Sequence, residues 1–228
     1  MADHSLLNFV LAESALELVP KEIQNSPAVT SDSRRRGVDA SEILLDRSFH
    51  HSAMERLKDS EKRGRPDLVH GTLLSVTGTP LFLEGKVRTF VHTHSNLVLE
   101  IAPKTRIPKS YIRFRGLMEK ALSGGDIDLV RVRGSDLREL MRRTISPDIV
   151  FGLSVQGKKM ELEELAEKLM AADNPCVLIG GFPHGHFAPE TLSVVDELVR
   201  IHEMPLEAHV VTSRLLYEFE KALMVVNR

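Results

Sequence analysis

Residues 149–185 read IVFGLSVQGKKMELEELAEKLMAADNPCVLIGGFPHG. A short apolar run (Ile149 to Leu153), a stretch with apolar residues at helical spacing (Leu162 to Met170) and a second apolar run (Cys176 to Ile179) follow one another, then a glycine pair. The period changes from continuous apolar to 3.6 and back, which predicts strand, helix and strand. Upstream, the same alternation predicts a strand over Leu129 to Val132 and a helix over Ser135 to Met141. Downstream it predicts helices over Glu190 to Val199 and Ser213 to Leu223, the last with Leu215, Leu216, Phe219 and Leu223 on one side. The fold class is therefore α/β, a mostly parallel sheet covered on both faces.

The N-terminal half is less regular. Leu6 to Leu11 reads as a first strand, and Glu42 to Asp46 (EILLD) as a buried one. Between them residues 21–39 lose periodicity and concentrate Ser, Pro, Gly, Asn and charge, which predicts a mobile loop. Ser48 is placed to cap a helix reaching about Lys62. Pro66 suits the first turn of another helix, ended by Gly78 and Pro80. Val87 to His92 and Leu97 to Ile101 read as a hairpin, and Tyr111 to Leu122 as a helix stopped by Gly124 and Gly125.

The chain has 228 residues, 42% apolar and 27% charged, with a formal charge of -2 and a single cysteine. These values describe an ordinary folded domain. One cysteine, Cys176, excludes an intrachain disulfide framework and a cysteine zinc cluster, and it suits a reducing compartment. No run is long and apolar enough to span a bilayer, and the N-terminal stretch lacks the basic start and cleavage signal of a secretory peptide, so the expectation is a cytoplasmic protein with no membrane partner.

Charge is polarised along the chain. Lys104 to Arg115 carries Lys104, Arg106, Lys109, Arg113 and Arg115 with no acid; Arg131 to Arg143 holds five arginines and two acids; Glu190 to Glu207 holds five acids and one arginine. A basic face of this kind serves docking to a phosphate backbone, and it is equally what a solvated surface looks like. Only two tyrosines and no tryptophan speak against single-strand capture by stacking.

In open α/β sheets ligands bind beyond the carboxyl ends of strands, which points to the segments after Leu153, Ile179 and about Met204. Gly180 to His186 (GGFPHGH) and Gly152 to Gly157 (GLSVQG) both carry glycines, and each reads as a ligand loop or as a structural turn, since neither has a dinucleotide or P-loop spacing. The histidine pairs 50/51, 92/94 and 184/186 lack a third convergent ligand, so no metal is expected. No serine sits in a nucleophile elbow, which argues against covalent catalysis. Arg65-Pro66-Asp67 reads either as a helix start or as a carboxylate orienting an arginine.

Taken together, the pieces Ile43 to Ser48 with His50 and His51, Arg65-Pro66-Asp67, Arg106 to Ser110 with Arg113-Phe114 and Gly116 to Met118, Gly180 to Gly185, and Leu206 to His209 resemble the archaeal branch of the ribosomal small-subunit pseudouridine N1-specific methyltransferases. The resemblance runs in order along nearly the whole chain. It implies a trefoil-knotted α/β methyltransferase domain spanning 1–228, elaborated by a basic RNA-binding region over 65–123, and a homodimer. It implies S-adenosylmethionine held by Leu153, Gly180, Gly185 and the run Leu206, Glu207, Ala208, His209, Val210 and Val211. RNA contact falls to Arg65, Arg106, Lys109 and Arg113, with Asp67 and Arg113 nearest the chemistry. At Lys109 many relatives carry arginine, so a two-pronged contact becomes a point charge. The implied substrate is a pseudouridine-containing hairpin of small-subunit rRNA, and other assembly factors are implied partners. The alternatives are a catalytically silent assembly factor and a knotted methyltransferase acting on another RNA position.

Overall fold

The computed structural model describes residues 7–226, so Leu6 and the chain ends of the expected domain lie outside it. Seven strands form one sheet in the order β4-β3-β2-β1-β6-β5-β7. They are β1 (Leu7–Ser14), β2 (Val87–Thr93), β3 (Leu97–Ile101), β4 (Val130–Gly134), β5 (Ile149–Lys159), β6 (Pro175–Gly180) and β7 (Glu197–Arg200). Pairing is parallel from β2 through β1, β6 and β5 to β7, and antiparallel for β2–β3 and β3–β4. The hairpin over 87–101 is as expected. Leu7 pairs with Val87, so β2 continues the central sheet, and the region 65–123 is woven into the domain.

Side chains alternate across the sheet with period two. Leu7, Phe9 and Leu11 point to one face, into a core shared with Val177, Phe151, Phe114 and Phe219; Val10 and Ala12 point to the other, against Leu137, Leu140, Met141 and Phe187. The first face is covered by α3 (Pro66–Thr77), α5 (Tyr111–Leu122), α7 (Leu162–Ala171) and α9 (Ala208–Val226), with the short α4 (Pro80–Leu83) beneath. The second is covered by α6 (Leu137–Glu139), which runs into a π-helical turn over Leu140–Ile145, and by α8 (Pro189–Leu192).

Four expectations are corrected here. Residues 21–39 are ordered: a 3-10 turn over Lys21–Ile23 leads to α1 (Pro27–Arg36), with Pro27 in its first turn. Its buried positions are Val29 and Asp32, so the face it turns inward is largely ionic and leaves no apolar period to read. Residues 42–46 are buried but not a strand; only Leu44 bridges Leu18. Leu44 enters the main core while Ile43 and Leu45 enter a satellite core with Val19, Val29 and Met54, and burial on both sides imitates a strand. The following α2 (Arg47–Met54) is capped by Asp46, whose Oδ1 accepts from the Ser48 amide at 2.9 Å, and it ends well short of Lys62. Finally, Glu190 to Val199 is not one helix, because Glu197–Arg200 is the edge strand β7.

The stretch 152–157 is strand as well. β5 runs to Lys159 with an irregular register against β7 between Leu153 and Lys158. Gly157 passes so close to β7 that a Cβ there would lie 2.5 Å from the Val199 backbone, which explains a glycine inside a strand.

Candidate functional site

The ends of β5, β6 and β7 converge on one cavity of about 490 Å³, the size of a small-molecule site. Leu153, Ser154 and Val155 come from β5, Ile179 and Gly180 from the end of β6, 182–187 from the segment after it, 201–207 except Glu203 from the segment after β7, and Ala208 from the start of α9. Val211 of α9 and Leu68 of α3 close it. Aliphatic walls face main chain and a few polar groups, Glu207, Ser154 and the imidazoles of His184, His186 and His202.

The segment after β6 is pinned from β1. Glu13, buried at the carboxyl end of β1 with φ of 51°, accepts from the Ala188 amide through Oε1 at 2.7 Å. Its Oε2 accepts from Lys62 Nζ at 2.8 Å, and the same ammonium donates to the His186 carbonyl and lies 4.5 Å from the centre of the Phe182 ring. Gly185, with φ of +92°, carries the chain past the Lys62 stem.

Leu68 ties the cavity to the start of α3. Arg65 Nε and a terminal guanidinium nitrogen donate to Asp67 Oδ1 and Oδ2, each at 2.8 Å, and the Glu207 carboxylate acts on the same guanidinium. Burial opposes charge on Asp67, but the hydrogen bonds and charge of Arg65 outweigh it and hold the carboxyl below the ordinary aspartate range. Next to this pair the Tyr111 hydroxyl donates to Asp46 Oδ2. Burial, reinforced by that carboxylate, pushes the phenol well above its usual range, so Tyr111 stays a donor.

The basic segment is docked by His70, which stacks on Phe114 at 4.5 Å and, donating from Nε2, reaches the Pro108 carbonyl at 2.7 Å. Arg106, Lys109 and Arg113 are all exposed, and none has a carboxylate partner among the described residues.

A profile of the EMG1/NEP1 methyltransferase family matches residues 9–220. The chain belongs to the EMG1/NEP1 methyltransferase family. Among curated relatives, the Thermococcus sibiricus protein named ribosomal RNA small subunit methyltransferase Nep1 is 42% identical over 224 residues, 96% of this chain and 100% of that one. The protein of the same name from Thermococcus onnurineus is 39% identical over 219 residues, 94% and 98% of the two chains. A crystal structure of Archaeoglobus fulgidus Nep1 bound to S-adenosylhomocysteine superposes with a TM-score of 0.83 at 37% identity, over 95% of this chain and 98% of that chain.

In this EMG1/NEP1 family member Leu153, Gly180, Gly185, Leu206, Glu207, Ala208 and Val211 all line the cavity. His209 and Val210 do not; they occupy the exposed side of the first turn of α9. Sequence reasoning missed Leu68, Glu13 and Lys62. An acidic residue at the carboxyl end of the first strand was a usable signal for Glu13, whereas nothing local marks Lys62, whose partners are 49 and 124 residues away.

Proposed function

We propose that this chain transfers a methyl group from S-adenosylmethionine to N1 of a pseudouridine in small-subunit rRNA. The observation that carries the proposal is the junction between the cavity and the cation cluster. Leu68 lines the cavity one residue from Asp67, and Asp67, which grips Arg65, also acts on Tyr111 at the start of the helix that carries Arg113.

The cavity suits the cofactor. Leu153, Leu206, Ala208 and Val211 offer an aliphatic wall for adenine, and the backbone around Gly180 and Gly185 allows close approach. Bound there, S-adenosylmethionine supplies an activated methyl carbon on sulfonium. The protein's own part is positional. Arg106, Lys109 and Arg113 bind the phosphate backbone and favour the partly anionic base, whose N1 gives its proton to water and forms the bond to the methyl carbon as the sulfur–methyl bond breaks to leave a neutral thioether. Both oxygens of Asp67 are occupied by Arg65, which favours Asp67 as the residue that orients this arginine over a role as proton acceptor.

Finer features extend the same reading. The C-terminal segment threads a trefoil knot, a reading supported by residues 201–208 lying across the cavity from 182–187 and by α9 packing on α3 and α7. The chain works as a homodimer, supported by the outward stripe of Val210, Tyr217 and Met224 on α9, exposed by 37%, 61% and 54%. It acts in the cytoplasm, alongside other small-subunit assembly factors.

The test is nucleoside mass spectrometry of an rRNA hairpin after incubation with S-adenosylmethionine, with uridine or pseudouridine at one position. N1-methylpseudouridine from the second hairpin alone is the expected result. No methylation would leave a silent binding protein, and equal methylation of both hairpins would overturn the N1 specificity.

A further inference from the structure

Three helices meet around an aromatic ring that the core does not use. Phe49, in the first turn of α2, is 40% exposed, while Ala53 and Met54 of the same helix are buried. Two guanidinium groups flank the ring, Arg35 of α1 with Cζ 5.0 Å from the centroid and Arg115 of α5 at 5.9 Å. Beside them on α5 Ile112 stands 70% exposed. Among the described residues Arg115 has no carboxylate partner.

The ground beneath this ring is fixed by buried charge. Asp32 of α1 receives Arg35 and, at 3.6 Å, Arg36; Arg36 in turn donates to Glu119 Oε2 of α5. Glu119 Oε1 accepts the Leu44 amide at 3.0 Å. His50, next to Phe49, is fully buried: its Nδ1 accepts the Asp46 amide at 3.1 Å and its Nε2 faces Asp32 at 3.6 Å. The bond from Tyr111 to Asp46 then joins the cap of α2 to the first residue of α5. Phe49 is therefore held at the Arg115 side of α5, close to the start of the helix that also carries Arg113.

A part-exposed ring between two cations adds only about 0.5–1 kcal/mol to folding per contact, but it matches an unpaired nucleotide. Any base offers a π-face to the ring and to a guanidinium plane, and its phosphates meet the flanking positive charge. We infer that Phe49, Arg35 and Arg115 form a stacking subsite for an unpaired base of the RNA substrate. This rests on the RNA substrate proposed above.

The test measures binding of a pseudouridine-containing rRNA hairpin by fluorescence anisotropy, for the wild type, Phe49→Leu and Phe49→Tyr, with abasic substitutions walked along the hairpin loop. Phe49→Leu should weaken binding roughly 5- to 100-fold with an unchanged salt slope, and Phe49→Tyr should stay within about twofold of wild type. One abasic position should cost the wild type affinity and cost Phe49→Leu none. Wild-type protein that ignores the hairpin would overturn the substrate reading and the subsite together. Wild-type binding with an unaffected Phe49→Leu, or abasic losses equal in both proteins, would overturn the subsite alone.

Discussion

Asp67 grips Arg65 with both carboxylate oxygens, at 2.8 Å each, across a single proline. The pair is half exposed, with side-chain exposures of 37% for Arg65 and 51% for Asp67, so it adds little to stability. Its value lies in direction, since Pro66 fixes the backbone and a bidentate fork fixes the guanidinium plane. Asp67→Ala should therefore lower hairpin affinity without shifting the melting temperature by more than about 1–2 °C. A double-mutant cycle should show coupling of about 1 kcal/mol with Arg65 and a smaller value with Arg113. Additive losses for Asp67 and Arg65 would contradict this.

Arg113 stands in the first turn of α5, exposed and without a carboxylate partner among the described residues. Arg113→Ala should leave cofactor affinity unchanged and cost about 1–3 kcal/mol of RNA binding if it reads a base. If it neutralises a phosphate, the slope of log affinity against log salt should fall by about 0.7–0.9. Titrations at several salt concentrations separate the two, and normal binding and methylation by the variant would remove Arg113 from the site.

Gly185 lies at φ +92°, and a Cβ there would meet the Lys62 stem at 3.2 Å. Valine, branched at Cβ, resists that backbone region and forces the loop to rearrange. Gly185→Val should weaken S-adenosylmethionine binding at least about tenfold in calorimetry, a change of ~1.4 kcal/mol or more, while circular dichroism stays native. Unchanged affinity in a folded variant would move the cofactor elsewhere.

Lys62 neutralises the buried carboxylate of Glu13 and holds the His186 carbonyl. Lys62→Met keeps the stem and leaves Glu13 without its cation, at a cost of about 1–3 kcal/mol. Cofactor affinity should fall, and hydrogen exchange should quicken over 182–188 in particular. Uniformly faster exchange would mark a global defect instead.

His50 and His92 are buried with Nδ1 accepting backbone amides, of Asp46 at 3.1 Å and Glu13 at 3.3 Å. Burial pushes both imidazoles below the ordinary histidine range; Asp32 and Asp46 offset part of the shift for His50, and Asn96 and Glu13 part of it for His92. In the unfolded chain both bind a proton near pH 6.5, roughly, while the folded protein keeps them neutral. The stability they contribute is full above that pH and is lost as pH falls below it toward the folded pKa values. Urea unfolding should give lower stability at pH 5.5 than at pH 7.5, roughly, with a shallower pH dependence in His92→Gln. Stability that rises on acidification across this window would refute the assignment.

Much of this was legible from local pattern. The strands at Ile149 and Cys176, the hairpin over 87–101, the helix from Pro66 and the helix over 111–122 all stand where apolar period and turn residues put them, because each signal is contained within a few residues. The glycine segment after β6 and the basic stretch from Lys104 were likewise visible as chemistry on the chain, whereas the run from Leu206 and the set Arg65, Arg106, Lys109 and Arg113 were implied by the family resemblance. What local pattern misread is what partners far away supply. α1 holds its place through Asp32, Arg36 and Glu119, an ionic face with no apolar period. Glu197–Arg200 becomes a strand only because β5 offers it an edge. Val87 takes its place in the central sheet only by pairing with Leu7. The sequence alone determined which residue types and segments are the candidates for cofactor and RNA, since those depend on side-chain chemistry and short-range period. Only the tertiary structure decided that Glu13 and Lys62 clasp the loop after β6, that His209 and Val210 turn away from the cavity, and that Phe49 sits between Arg35 and Arg115. These are contacts between chain segments tens of residues apart, fixed by sheet pairing and buried ion pairs that no local window contains.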